Sequence, residues 1–347
     1  MPAPVSRDRP MLLALSLIAL GIVLRQADRV HYGRRRPRTA DAAGLIALQR
    51  ARANDVTPLV LLAGQWVQIA GWWLLAAQGP LGAAVASAGV AVQFRHLQEL
   101  SHHAVHGVLA RTGRANTFLA EVFAHLPLGL PPVPARRRRH VRDHHPHATL
   151  AADPNLAELT RAGLRPGIGP SRFALAVVHP LTPAGLAVTV ASLRDALRPG
   201  PGRLLAFLAV PAAALLLVGW PAAVFGWLVP RLLLYPLLAW WSLFAEHTWF
   251  DPEHRTGSKA RVEAGRCLRL YPRSRALAAL ATATWLPYGD LHHYAHSAHP
   301  GLRWNYLPAL ERHLGPPHFA PDALALGTNS VARRHYRALT ATSPARF

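Results

Sequence analysis

The feature that most constrains this chain is the segregation of long apolar runs from dense arginine clusters. Half of the 347 residues are apolar and only 16% are charged. A bilayer demands that pattern, with apolar spans crossing the hydrocarbon and cationic ends held on one side. The first run, Met11–Leu24, follows Arg7 and Arg9 and is closed at once by Arg25. It has the length of a signal-peptide core but no small-residue cleavage site, and reads as a short membrane-associated or marginally spanning helix. A basic stretch from Arg25 to Arg52 follows, including Arg34, Arg35, Arg36 and Arg38.

Pro58–Gln78, which carries Trp66, Trp72 and Trp73, is long enough to cross ~30 Å of hydrocarbon at ~1.5 Å per residue. Gly79-Pro80 breaks it and Leu81–Phe94 runs back to Arg95. A second pair, Leu204–Trp220 and Ala222 to Phe244, turns at Gly219-Trp220-Pro221. Each pair forms a hairpin whose arginine-rich ends lie on one side, the cytosol by the positive-inside rule. The expectation is an all-α integral membrane protein, with four transmembrane helices in two hairpins beneath a cytosolic helical cap. Phe173–Leu193 and Ala276–Trp285 read as interfacial segments.

The formal charge of +21 raises nucleic-acid binding as an alternative. Lys259 is the only lysine, however, and the skew to Arg, Ala, Gly and Pro reflects a G/C-rich genome. The arginines sit at the ends of apolar runs, where anionic headgroups account for them, so no nucleic-acid partner is expected. Cys267, the single cysteine, excludes an internal disulfide and a thiolate metal site.

Twenty histidines are far above ordinary usage, and they gather in groups. His102-His103-Ala104-Val105-His106 follows the first hairpin, and His140-Val141-Arg142-Asp143-His144-His145 lies in the polar segment beyond. His247 marks the exit of the second hairpin, and His292-His293-Tyr294-Ala295-His296 precedes His299. Residues four apart share a helix face, so His102 and His106 pair on one ion, as do His140 and His144. His145, turned by ~100°, reaches a second ion. His293 and His296 again share a face. Imidazole without thiolate suits iron, zinc or copper, and not magnesium or calcium. A single HxxxH carries little weight; four groups on one predicted side of the membrane carry much more. His147 and His179 read as non-ligands, and His313 and His335 as surface residues. Near the groups, Glu99, Glu121, Asp143, Glu246 and Asp290 are candidates to orient imidazoles, with Asp143 and Glu246 favoured because they lie inside motifs.

With these motifs the sequence resembles the membrane fatty acid desaturase and hydroxylase superfamily, whose mark is three histidine boxes. His102 to His106 looks like the first box, with His103 where the family usually has an acid. His140 to His145 matches the second, HxxxHH, and Asp153-Pro154-Asn155 resembles the acidic-proline stretch after it. Ala245-Glu246-His247 is similar to the extra histidine of many bacterial members. The third box departs: on the alignment through Trp304-Asn305 and Leu307-Pro308, Ser297 stands where the last histidine should be. Either His292 or His299 then supplies the imidazole, or the site has one ligand fewer.

The resemblance implies three segments: a basic N-terminal part with a short apolar helix over 1–54, a membrane desaturase-like domain over 55–315, and a tail over 316–347. It further implies two irons on His102, His106, His140, His144, His145, His247, His293, His296 and His299, with O2 as co-substrate. A lipid or acyl substrate and a ferredoxin- or cytochrome-type electron donor go with it, in a bacterial inner membrane with the site facing the cytosol. Hydroxylases and ketolases of the same fold use nearly the same histidines. A degenerate, non-catalytic metal-binding member is the further alternative, raised by Ser297. A transporter would place its ligands inside the spans, where this chain has almost no ionisable residue.

Overall fold

A computed structural model describes residues 8–33, 37, 38 and 40–341. Arg7, Arg34, Arg35 and Arg36 of the N-terminal basic stretches, and residues 342–347 of the tail, lie outside the described residues. Helices and turns make up the described chain, with isolated bridges such as His247 to Cys267 in place of strands.

Helix α1 runs over Asp8–Gly33, well beyond the short helix expected at Met11–Leu24. No proline follows Pro10 of its first turn, and its charged second half has partners. Arg25 donates to the Thr282 carbonyl at 2.6 Å and lies 5.2 Å from the Tyr288 ring centroid. Asp28 accepts from Asn305 at 3.1 Å and lies 3.6 Å from Arg303. Arg303 in turn stacks over Tyr32 and Trp304 and donates to the Thr57 hydroxyl at 3.0 Å. The end of α1 is thereby fastened to the segment that follows His299.

Helix α2, Thr57–Ala76, lies along α1 through small residues. A Cβ on Gly71 would meet the Ala14 carbonyl at 2.8 Å, and one on Gly21 would meet the Gly64 carbonyl at 2.5 Å. Close approach through glycines is how helices associate where lipid removes the hydrophobic drive between them. Gly79, at φ 100°, reverses the chain, and Pro80 opens helix α3, Pro80–Val105. Proline suits a first turn because its missing N–H would have no partner there.

The second antiparallel pair is α5, Pro201–Leu217, and α6, Trp220–Glu246, reversed at Gly219 with φ 116°. Between the pairs runs a short helix α4, Val133–Arg137. Helix α6 contains two π turns, Val224–Leu228 and Pro230–Leu234, and packs on both α2 and α3. The Trp73 indole donates to the Gly226 carbonyl at 3.0 Å, and Phe94 meets Trp227 edge-on at 4.7 Å.

Among the described residues, three helices are long and apolar enough to cross a bilayer: α1 from Arg9, α2 and α6. Helices α3 and α5 fall short of that standard. Beyond Phe94, α3 turns polar with Arg95, His96, Glu99, His102 and His103, and α5 is only 17 residues long. The remaining helices used below are α7, Lys259–Arg266, α8, His293–Ala298, and α9, Leu307–Leu314.

The glycine contacts between α1 and α2 make a direct prediction. Gly71→Leu should lower the thermal midpoint of the detergent-solubilised protein, at a cost of about 1–3 kcal/mol for overpacking. Gly33→Ala, at a position with nothing within 4 Å of a Cβ, should leave it unchanged.

Candidate metal centre

The end of α3 presents His102 and His106. Against it lies a π-helical segment, Arg138–His144, which continues α4 and carries the second histidine group. Two arginines before it turn inward and clamp the last turn of α3. Arg137 donates to the Val105 and Ala104 carbonyls at 2.8 and 3.2 Å, and Arg136 to the Gln98 carbonyl at 3.3 Å. Cations at a helix C-terminus also meet the negative end of its dipole. The basic run is thus partly structural, with Arg139 paired to Glu158 on the surface.

His247 follows the last residue of α6, where the backbone becomes extended at φ −134° and ψ 163°. His293 and His296 come from α8. These elements bring together eight of the nine histidines expected from the sequence, in two groups. One holds His102, His106, His140, His145 and His296; the other holds His144, His247 and His293 with Glu246. Donor atoms within each group lie within 4.8 Å of one another.

The partition differs from the helical-wheel expectation. His140 pairs with His145, not with His144, because the segment is wound as a π helix, with the His145 amide bonding the His140 carbonyl at 3.1 Å. An i to i+5 hydrogen bond widens the turn and brings residues five apart towards one face. His293 and His296 likewise divide between the two groups. His299 stays apart, half-buried, with Lys259 and His313 as neighbours. His292 is taken by Glu311. Neither therefore joins the groups in place of Ser297.

The hydrogen bonds around the rims decide which ring nitrogens are free. His102 Nδ1 lies 2.6 Å from a Glu99 oxygen, His144 Nδ1 lies 3.0 Å from Asp153, and His247 Nδ1 lies 3.2 Å from the Arg266 carbonyl. Each neighbour accepts, so each Nδ1 carries the proton and Nε2 keeps its lone pair. Those Nε2 atoms point inward. His102 Nε2 is 2.6 Å from His140 Nε2 and 3.1 Å from His106 Nε2. His247 Nε2 is 3.1 Å from His293 Nε2. His144 Nε2 and both nitrogens of His296 are buried without a partner. Two nitrogens at right angles about an ion, at bonds of about 2.1 Å, lie about 3 Å apart. Nitrogens converging at these separations fit the shells of cations.

Burial, and next the neighbouring imidazoles, push His140, His145 and His296 well below their ordinary range. His293 is pushed down to about 4, chiefly by burial. Neutral rings are what a metal requires.

Of the carboxylates proposed to orient imidazoles, Glu99 does so. Asp143 is exposed; its place is taken by Asp153, which sequence reasoning did not choose. After His145 the helix ends, and Asp153 caps Pro154–Arg161 while also accepting from the Thr149 amide at 3.0 Å. The acid-proline pair at a helix start was the available signal. Glu121 instead pairs with Arg203. Asp290 lies 2.5 Å from Arg95, which also holds Glu99 at 2.9 Å. His335, expected at the surface, is fully buried with Nε2 3.0 Å from the Phe244 carbonyl. His147 and His179 lie outside both groups, and His313 is exposed.

An all-helical protein with three membrane-length apolar helices and two adjoining imidazole groups is defined by this geometry. The family model for fatty acid desaturases matches residues 71–326, most of the chain, and the chain belongs to that family. The family implies an oxidoreductase with a lipid substrate and membrane association. No curated protein matches the chain.

The depressed histidines set the pH response of the metal-free protein. Folded pKa values below the unfolded 6.5 mean that the unfolded chain takes up protons the folded one refuses as pH falls. Stability should therefore be complete above pH 6.5 and decline as pH falls from 6.5 towards 4, which thermal unfolding across that window checks.

Proposed function

We propose that this protein is an O2-dependent di-iron desaturase acting on a fatty acyl or other lipid-like chain. The observation that carries this reading is the convergence of eight imidazoles in two adjoining groups, with acceptors at Nδ1 leaving the Nε2 lone pairs of His102, His144 and His247 free. His102, His106, His140, His145 and His296 are proposed to hold one iron, and His144, His247 and His293 the other. Two bound irons supply the oxidising power to take unactivated hydrogens from a hydrocarbon chain with O2, which acid–base side chains cannot.

The protein's own groups do the positioning. Glu99, Asp153 and the Arg266 carbonyl each hold an Nδ1 proton and so keep three rings turned to their ions. Fully buried Trp249 lies against His144 and His247 and helps keep water from their group. In this reading α2 with α3 and α5 with α6 form the four spans of two hairpins, and α1 adds a crossing. The histidines then lie in a cap on the arginine-rich, cytosolic side of a bacterial inner membrane, where a ferredoxin- or cytochrome-type donor delivers electrons.

Purified protein should contain two irons per chain; zinc or no metal would sink the proposal. With a reductant, O2 and a lipid extract, products should be lighter by two mass units. A gain of sixteen would instead identify a hydroxylase of the same fold. Asp153→Ala should weaken iron binding about 10–100-fold, as loss of a ligand's hydrogen-bond partner does elsewhere, measured by iron titration.

A further inference from the structure

Ser297 leaves the second group with three histidines, and the surrounding residues indicate what completes it. Ser297 is fully buried, and its hydroxyl donates to Glu263 at 2.8 Å. Glu263 is already held by Arg266 at 2.5 Å, on the same turn of α7. Serine and glutamate thus satisfy each other. His292 and His299, as described above, are not at hand.

Glu246 is at hand. It ends α6, and the change to extended backbone at His247 lets two consecutive side chains serve the same group. Its charge environment is unusual. Glu99 and Asp290 share the Arg95 guanidinium at 2.9 and 2.5 Å. Glu246 has no ion pair among the described residues; it lies 3.4 Å from the Ser242 hydroxyl, which is closer to Asp290 at 2.6 Å. Three carboxylates therefore gather about one guanidinium, and an interior carboxylate without a cation is costly. A metal ion amid His144, His247 and His293 is the missing counter-charge.

We propose that the Glu246 carboxylate is the fourth protein ligand of the second iron, in place of the imidazole absent at Ser297. The inference rests on the di-iron reading above. The two ions then sit in unlike shells, one of five neutral imidazoles and one of three imidazoles and an anion, whose negative charge favours the more oxidised ion.

The test uses the full-length protein loaded with 57Fe, read by iron content and Mössbauer spectroscopy. The wild-type protein should hold two irons per chain and give two distinct quadrupole doublets of equal area. Glu246→Gln should hold about one iron and lose one doublet, and Glu246→His should restore the second iron. Two irons with both doublets unchanged in Glu246→Gln would overturn the inference while leaving the di-iron reading intact. Loss of both irons in a Glu246→Gln protein that keeps the wild-type helical circular dichroism, and that Glu246→His does not restore, would overturn it also, because Glu246 would then not serve one ion alone. Fewer than two irons in the wild-type protein would overturn the di-iron reading and this inference with it.

Discussion

The site depends on one kind of interaction: a hydrogen bond that takes the Nδ1 proton of a histidine outward. Glu99, Asp153 and the Arg266 carbonyl do this for His102, His144 and His247. Each bond settles a tautomer and a ring orientation at once, and so converts a crowd of buried imidazoles into lone pairs aimed at two points. Without those acceptors the same rings could bond one another and no metal would be required. The acceptors come from α3, from the turn before Pro154 and from the end of α7, so the site exists only when those distant parts are assembled.

Assembly in turn rests on features that suit a lipid environment. Glycines let α1 and α2 approach backbone to backbone. Where α1 becomes polar, its charges find partners at Thr282, Asn305 and Arg303. The inward-facing Arg136 and Arg137 press the π segment onto the end of α3. Arginine carries much of this work because one guanidinium reaches several carbonyls in a fixed fork.

Much of this was legible in the sequence, for stated reasons. Apolar runs broken by Gly79-Pro80 and by Gly219-Trp220-Pro221 do end where the helices reverse, since glycine supplies the positive φ and proline opens the next helix. The histidine groups announced themselves by composition and spacing. What the sequence concealed was winding and reach. An α-helical wheel joins His140 to His144, whereas the π turn joins His140 to His145; the pattern of residues is the same and only the backbone register differs. Asp143 lies inside a motif yet points to solvent, and Asp153, eight residues after His145, turns back because a helix begins there. His335 read as a surface residue, yet it faces Phe244. Helix α1 outran its apolar core because its polar half is paid for by contacts with residues some 250 positions away.

Those last contacts carry a consequence for how the chain is made. Arg25 and Asp28 emerge early in synthesis, while Thr282, Arg303 and Asn305 are among its last products, 257 to 277 residues later. At about 5–20 residues per second, the first helix waits tens of seconds with its charges unmatched. During that interval it can settle only provisionally, held by glycine contacts to α2. The final third of the polypeptide therefore closes the molecule at both ends of its history, delivering His293 and His296 to the metal centre and the partners of the first helix at nearly the same moment.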